Sequence, residues 1–138
     1  GVAGCVGTGV PFAIAAKVVH PDKPVVCLQG DWAFGFNGMD IETAARAEIP
    51  ILTIILNNGV MTHYYDHMPY ATEHWGSNKL GGDYAKVAEG LGAYSERVET
   101  PDQVAPAIQR GLDANRSGKT AVLEMITKEE ETIPRYWR

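Results

Sequence analysis

Two side chains that carry oxygen ligands, Asp31 and Asn58, stand 27 positions apart, and each lies beside a glycine. Each also follows an apolar run rich in β-branched residues, at positions 25–29 and 51–56. Carboxylate and carboxamide oxygens are hard ligands of the kind that Mg²⁺ prefers, and neighbouring glycines leave room for a phosphate group. The turn after Asn58 offers a main-chain oxygen, that of Val60, as a third ligand. The spacing therefore predicts a Mg²⁺-held diphosphate rather than a transition-metal site.

Strands and helices alternate along the chain, which is the pattern of a parallel sheet covered by helices. Apolar runs predict strands at 25–29, 51–56, 93–98 and 121–126. Helix formers and capping residues predict helices at 11–19, 39–48, 83–91 and 100–115, with Pro106 weakening or kinking the last one. Residues 57–82 predict a long aromatic loop at the carboxyl end of a strand, where α/β proteins place ligands. We therefore predict an α/β fold, a parallel sheet with helices on both faces.

The composition is that of about one domain of 138 residues with a net charge of −5. No basic run exists that would bind nucleic acid or an anionic membrane surface, and no apolar stretch is long enough for a membrane span. The cysteines, Cys5 and Cys27, lack a CxxC spacing and predict reduced thiols in a cytoplasmic protein. The chain opens inside a glycine-rich turn, so we expect a first strand and further domains upstream of it.

The pattern GD followed by NN resembles the C-terminal cofactor domain of thiamine-diphosphate-dependent enzymes of the pyruvate decarboxylase and acetolactate synthase superfamily. The resemblance extends upstream through GCVGTGVPFAIAAKVVHPDKPVVCLQGD and downstream through GGDYAKVAEGLGAYSERVETPDQVAPAIQRGL. It implies a thiamine-diphosphate-binding fold over residues 1–127, followed by a tail at 128–138. It also implies thiamine diphosphate and Mg²⁺ as cofactors.

The resemblance assigns the metal and the diphosphate to five residues. Asp31 and Asn58 are implied as side-chain ligands of Mg²⁺ and the Val60 carbonyl as the third ligand. Trp32 and Ala33 are implied to donate backbone N–H groups to the diphosphate. Trp32 departs from the family pattern, which has glycine or another small residue there.

Four further residues receive roles nearer the reacting end of the cofactor. The Gly4 carbonyl matches the acceptor for the aminopyrimidine, and Val6 matches the apolar residue that holds the cofactor bent. Tyr64 falls where decarboxylases of this superfamily place a polar residue on the substrate side. Glu73, in the aromatic loop, is a candidate acid/base whose pKa an apolar surround would raise; a solvent-facing loop carboxylate is the alternative.

The segment FGFNGMDIETAAR most resembles oxalyl-CoA decarboxylases and 2-hydroxyacyl-CoA lyases, with Asp40 where those enzymes tend to have Glu. The resemblance implies cleavage of a 2-hydroxyacyl-CoA to formyl-CoA and an aldehyde or ketone. Decarboxylation of oxalyl-CoA or another 2-oxo acid, an acetolactate-synthase-like carboligation and a non-catalytic assembly domain remain alternatives. The resemblance also implies an acyl-CoA or 2-oxo acid substrate and a homodimer or homotetramer with the cofactor at the subunit interface. The activating glutamate belongs to another domain, so the chain alone is expected to be inactive.

Three other features of the sequence bear on function. His63, His67 and His74 form a weak zinc pattern, without HExxH or a cysteine set. The glycines at 4–9 resemble a dinucleotide fingerprint but lack its third glycine. The tail, with Arg135, Tyr136 and Trp137, is a candidate lid over the site.

Overall fold

A four-stranded parallel sheet forms the centre of the domain in a computed structural model that describes residues 5–62 and 64–129. Its strands are β1 (Val26–Gly30), β2 (Leu52–Asn57), β3 (Tyr94–Val98) and β4 (Ala121–Ile126). They lie in the order β1-β2-β4-β3, and every neighbouring pair is parallel. The predicted α/β fold is confirmed, and each predicted strand lies within a residue or two of its expected place.

Helices cover both faces of this sheet. The helices are α1 (Gly9–Val19), α2 (Asp31–Asn37), α3 (Asp40–Arg46), α4 (Tyr64–His67), α5 (Pro69–Trp75), α6 (Tyr84–Gly90) and α7 (Pro101–Arg116). One core, with Val10, Phe34, Ile41 and Ala88 from the helices, joins α1, α2, α3 and α6 to the sheet. A second core joins α7 to the opposite face through Ala107, Leu52 and Leu123, among others. Burial of these apolar side chains is the main stabilising term for both layers.

Three helices, α2, α4 and α5, form where none was predicted, and α7 runs through Pro106. A helix, α2, begins at Asp31 itself, although its sequence is rich in aromatics and contains Gly35; burial of Phe34, which is 2% exposed, overrides the weak helix propensity. The expected irregular loop contains α4 and α5. The α7 helix continues through Pro106, which is exposed, so the carbonyl that loses its partner can be hydrated.

None of the helices in the described residues is both long and apolar enough to cross a membrane.

Candidate functional site

The carboxyl ends of β1 and β2 bring the two predicted ligand positions together. Gly30 at the end of β1 pairs in register with Leu56 of β2, so Asp31 and Asn58 follow neighbouring strands at one edge of the sheet. A cavity of about 450 Å³ opens there. It is lined by Gly30, Asp31, Trp32, Leu56, Asn58, Val60, Met61, Thr62, Thr127 and Lys128. The expected meeting of Asp31, Asn58 and Val60 is therefore what the fold produces.

Asp31 is a buried carboxylate, 3% exposed, at the first position of α2. Its Oδ1 accepts the N–H of Trp32 at 2.8 Å and its Oδ2 accepts the N–H of Gly59 at 2.9 Å. A carboxylate offers about four acceptor positions, so each oxygen keeps capacity for a further donor or a metal ion. Asp31 therefore ties α2 to the turn after β2 and still supplies a negative charge to the cavity.

The turn after β2 is shaped by Gly59, whose φ of +71° belongs to the left-handed region. Its N–H is shared between Asp31 Oδ2 and Asn57 Oδ1, at 2.9 and 3.0 Å. Asn58 Oδ1 accepts the N–H of Val60 at 3.1 Å, and Asn58 Nδ2 donates to Thr62 Oγ1 at 3.2 Å. The side-chain oxygen of Asn58 is thereby oriented by its own turn.

A short antiparallel contact anchors the outer side of this turn. Val60 forms a bridge with Lys79. Leu80 N–H donates to the Gly59 carbonyl at 2.8 Å, and Met61 N–H donates to the Asn78 carbonyl at 2.7 Å. Neither bond uses the Val60 carbonyl, so both leave that oxygen available as a ligand.

The start of α2 supplies backbone donors beside Asp31. Trp32 and Ala33 lie in its first turn, where N–H groups have no backbone acceptor within the helix, and the N–H of Trp32 donates to Asp31 Oδ1. The Trp32 ring packs edge to face against Phe36, with ring centroids 5.8 Å apart, and Trp32 lines the cavity whereas Ala33 is not among its lining residues. The nearest helix that the sequence predicted is 39–48, which corresponds to α3, so the helix N-terminus beside Asp31 was not expected.

A buried polar network behind the cavity was missed by the sequence analysis. Glu124 lies in β4 with 0% exposure, and its Oε1 accepts Asn57 Nδ2 at 2.6 Å and Arg97 Nη1 at 3.0 Å. Its Oε2 accepts the N–H of Ala85, at the start of α6, at 3.0 Å. The signal for this network was a lone acidic residue inside an otherwise apolar strand, AVLEMI.

Tyr84 is influenced by the charges of both buried carboxylates, Asp31 and Glu124. Its ring packs edge to face on Phe34, with ring centroids 5.8 Å apart. Burial raises the pKa of the Tyr84 hydroxyl, and the negative charges of Asp31 and Glu124 raise it further. Tyr84 is therefore a neutral phenol at physiological pH.

The remaining predicted site residues are not brought to this cavity by the described part of the chain. Val6 is 51% exposed and is not among the lining residues. Glu73 is exposed on α5. On the same helix the rings of Tyr70 and His74 stack, and Trp75 meets Tyr70 edge to face. The backbone at position 64 belongs to α4.

Some predicted features fall outside what the structure describes. These are Gly4, the side chain of Tyr64, His63 and the proposed lid residues Arg135, Tyr136 and Trp137. Within the described residues, no group of three or more His, Cys, Asp or Glu side chains is arranged to hold a metal ion. That finding gives the zinc pattern no support, and it does not concern the Asp31 site, whose other ligands would be a carboxamide and a carbonyl.

A family model for the C-terminal TPP-binding domain of thiamine pyrophosphate enzymes matches residues 1–125. An acetolactate synthase large subunit of Mycobacterium tuberculosis is 35% identical over 134 residues, covering 96% of this chain and 24% of that protein. A 2-hydroxyacyl-CoA lyase of Oryza sativa is 34% identical over 137 residues, covering 91% of this chain and 22% of that protein. The chain thus spans about a quarter of the length of these relatives.

Among solved structures, a thiamine diphosphate-dependent 4-hydroxybenzoylformate decarboxylase of Rhodococcus jostii superposes with a TM-score of 0.78 at 28% sequence identity. The match covers 92% of this chain and 24% of that one.

Proposed function

Since this chain belongs to the thiamine pyrophosphate enzymes, as their C-terminal TPP-binding domain, we propose that its cavity between β1 and β2 holds the cofactor diphosphate through Mg²⁺. The observation that carries the proposal is the convergence of Asp31, Asn58 and Val60 on that one cavity. These residues offer a carboxylate, a carboxamide and a main-chain carbonyl, which are hard oxygen ligands suited to Mg²⁺.

Each donor contributes in a distinct way. Asp31 supplies the negative charge and Asn58 a neutral oxygen that its turn already orients. The Val60 carbonyl is the third ligand, and the N–H groups of Trp32 and Ala33 at the start of α2 are proposed to donate to the diphosphate oxygens. Diphosphate oxygens and water then complete the six positions that Mg²⁺ requires.

The bound cofactor supplies an electron sink for the carbanion that forms when a C–C bond beside a carbonyl breaks. This chain's own residues bind and orient it. In the same proposal, Val6 holds the cofactor in its bent conformation, and the Gly4 carbonyl accepts a hydrogen bond from the amino group of the cofactor. The indole of Trp32 lines the cavity and restricts water beside the diphosphate.

We propose a lyase reaction in which a 2-hydroxyacyl-CoA gives formyl-CoA and an aldehyde or ketone. The bond between C1 and C2 breaks, the hydroxyl loses its proton, and C1 gains a proton to become the formyl carbon. The reaction therefore needs a base near the 2-hydroxyl and a proton donor near C1. Tyr64 and Glu73 are the proposed polar groups on the substrate side. A Glu73→Gln variant with normal turnover would remove Glu73 from that role.

The remainder of the site is proposed to come from elsewhere. Relatives about four times as long as this chain support upstream domains in the same protein. We propose a homodimer or homotetramer in which a neighbouring subunit supplies the activating glutamate. The isolated 138-residue chain with thiamine diphosphate and Mg²⁺ is then expected to show no turnover.

Cofactor binding tests the first part of the proposal. Titration calorimetry on the full-length protein should show thiamine diphosphate binding that requires Mg²⁺ and is lost in Asp31→Ala. Asp22→Ala, which removes an exposed carboxylate in the turn after α1, is the matched control and should bind normally. Equal binding by both variants would show that Asp31 is not a ligand.

The products test the second part. Formyl-CoA together with a carbonyl compound supports the lyase, whereas CO₂ release from a 2-oxo acid supports a decarboxylase. The 35% identity to an acetolactate synthase favours carboligation of pyruvate as the second candidate. Liquid chromatography with mass spectrometry distinguishes these products in one experiment.

A further inference from the structure

We propose that Glu124 is a positioning residue for the cofactor-binding turn at residues 57–60 and acts through the carboxamide of Asn57. The inference rests on the proposed function, since it concerns how the turn presents its ligands to Mg²⁺. Glu124 itself lies one layer behind the cavity and is not among its lining residues.

The burial of Glu124 requires an explanation that strand packing does not supply. Its side chain is 0% exposed, and the residues on either side of it in β4, Leu123 and Met125, are apolar. A buried carboxylate is costly unless donors satisfy both of its oxygens. Three donors do so here, from Asn57, Arg97 and the backbone of Ala85. Because a carboxylate only accepts hydrogen bonds, every group facing it must present an N–H.

That requirement determines the orientation of the Asn57 carboxamide, that is, which side its NH₂ group and which side its oxygen face. Its NH₂ group must face Glu124, at 2.6 Å, so its oxygen faces the opposite way. The oxygen then accepts the N–H of Gly59 at 3.0 Å, and the same N–H reaches Asp31 Oδ2 at 2.9 Å. Without the carboxylate at position 124, the Asn57 carboxamide is no longer held in this orientation. If it flipped, its NH₂ group would face the Gly59 N–H, and two hydrogen-bond donors would oppose each other.

The Gly59 N–H thus connects the buried carboxylate to the proposed ligands. Gly59 stands between Asn58 and Val60, and its bond to Asp31 joins the turn to the start of α2. Loss of the Asn57 contact releases this turn from the inner side while the contact with residues 78–80 remains. Groups that orient metal ligands from behind typically change metal affinity by about 10- to 100-fold. We expect a loss of at least about tenfold here.

Two variants break the connection at different points, and a third is a matched control. Glu124→Leu removes the acceptor oxygens of all three donors, including the one that Asn57 Nδ2 contacts. Asn57→Ala keeps the carboxylate and removes only the carboxamide, which guards against a folding defect in the first variant. Arg97→Met removes another partner of the same carboxylate, one that does not touch the turn.

The experiment uses the full-length protein and measures the Mg²⁺ concentration that half-saturates thiamine diphosphate binding, by calorimetry and by tryptophan fluorescence. Glu124→Leu and Asn57→Ala should raise this concentration about tenfold or more, with turnover recovering at high Mg²⁺. Arg97→Met should stay within about twofold of the unaltered protein although its stability falls, and melting temperatures are recorded for all variants.

The outcomes separate this inference from the proposed function. If the unaltered protein binds the cofactor and Asp31→Ala does not, but Asn57→Ala and Glu124→Leu bind normally, only the positioning role is overturned. It is also overturned if all three variants lose affinity in proportion to their loss of stability, because Glu124 then acts on the fold alone. If the unaltered protein fails to bind the cofactor with Mg²⁺, both proposals fail.

Discussion

Replacing Arg97 by Met should destabilise the sheet far more than breaking an exposed ion pair does. Arg97 Nη1 lies 3.0 Å from Glu124 Oε1, and the two side chains are 36% and 0% exposed. Removing one partner of a buried pair typically costs about 3–5 kcal/mol, because a charge is left without its counter-charge. Because Arg97 is partly hydrated, water can replace part of the lost ion pair. We therefore expect the free energy of unfolding to fall by about 3 kcal/mol.

The same substitution at Arg110 is the matched control. Arg110 pairs with Glu96 at 2.7 Å, with side chains that are 51% and 21% exposed. Pairs open to solvent contribute little to stability, so Arg110→Met should lower the free energy of unfolding far less than Arg97→Met does. The bond from Arg97 to the exposed Glu99 belongs to the same weak class and does not alter the comparison.

Hydrogen exchange followed by mass spectrometry measures this effect in the full-length protein. Peptides that cover β4, an interior strand between β2 and β3, report the free energy of opening around Glu124. A loss of about 3 kcal/mol corresponds to roughly 100-fold faster exchange in Arg97→Met. Adding Glu124→Gln to that variant removes the lone charge and should restore part of the protection. Equal exchange in Arg97→Met and Arg110→Met would refute the reasoning, because the burial of Glu124 would then carry no electrostatic cost.

Two further predictions concern packing and pH. A Cβ at Gly111 would lie 2.8 Å from Leu52 Cδ1, so Gly111→Ala should destabilise by about 1–3 kcal/mol in thermal melts, whereas Gly90→Ala, with no atom within 4 Å, should not destabilise. The Arg110 guanidinium holds the pKa of Glu96 below its ordinary value of 4.5, so the folded state binds fewer protons and is stabilised above pH 4.5; that contribution disappears as the pH falls further. Glu96→Gln should therefore flatten the acid limb of the stability curve, and an unchanged limb would contradict the assigned cause.

Local patterns in the sequence accounted for the strands and for the ligand positions. Each strand was an uninterrupted apolar run, and such runs are typical of parallel strands buried on both faces. Asp83 was expected to cap a helix, and its side chain accepts the N–H of Lys86 at 3.0 Å. The placement of Asp31 and Asn58 at one edge followed from the polarity of parallel strands alone, and the register of Gly30 with Leu56 bears it out.

The missed helices show where local signals were too weak or were overlooked. The α2 helix depends on burial of Phe34, which the propensities of its own residues do not reveal. The α5 helix was detectable in principle, because Pro69 stands at its first position and Gly76, in the left-handed conformation, ends it. The aromatic composition of that segment outweighed those signals in the sequence analysis.

The sequence by itself determined the α/β fold, the order of its elements and the placement of Asp31 and Asn58 after two neighbouring strands, because these depend on runs of adjacent residues and on chain direction. Only the tertiary structure decided that Glu124 contacts Asn57, 67 positions away, and that the Gly59 N–H is shared by Asn57 and Asp31. It also left Glu73 exposed and away from the cavity lining. Burial and hydrogen-bond partners depend on residues distant in the chain, so no local pattern contains them.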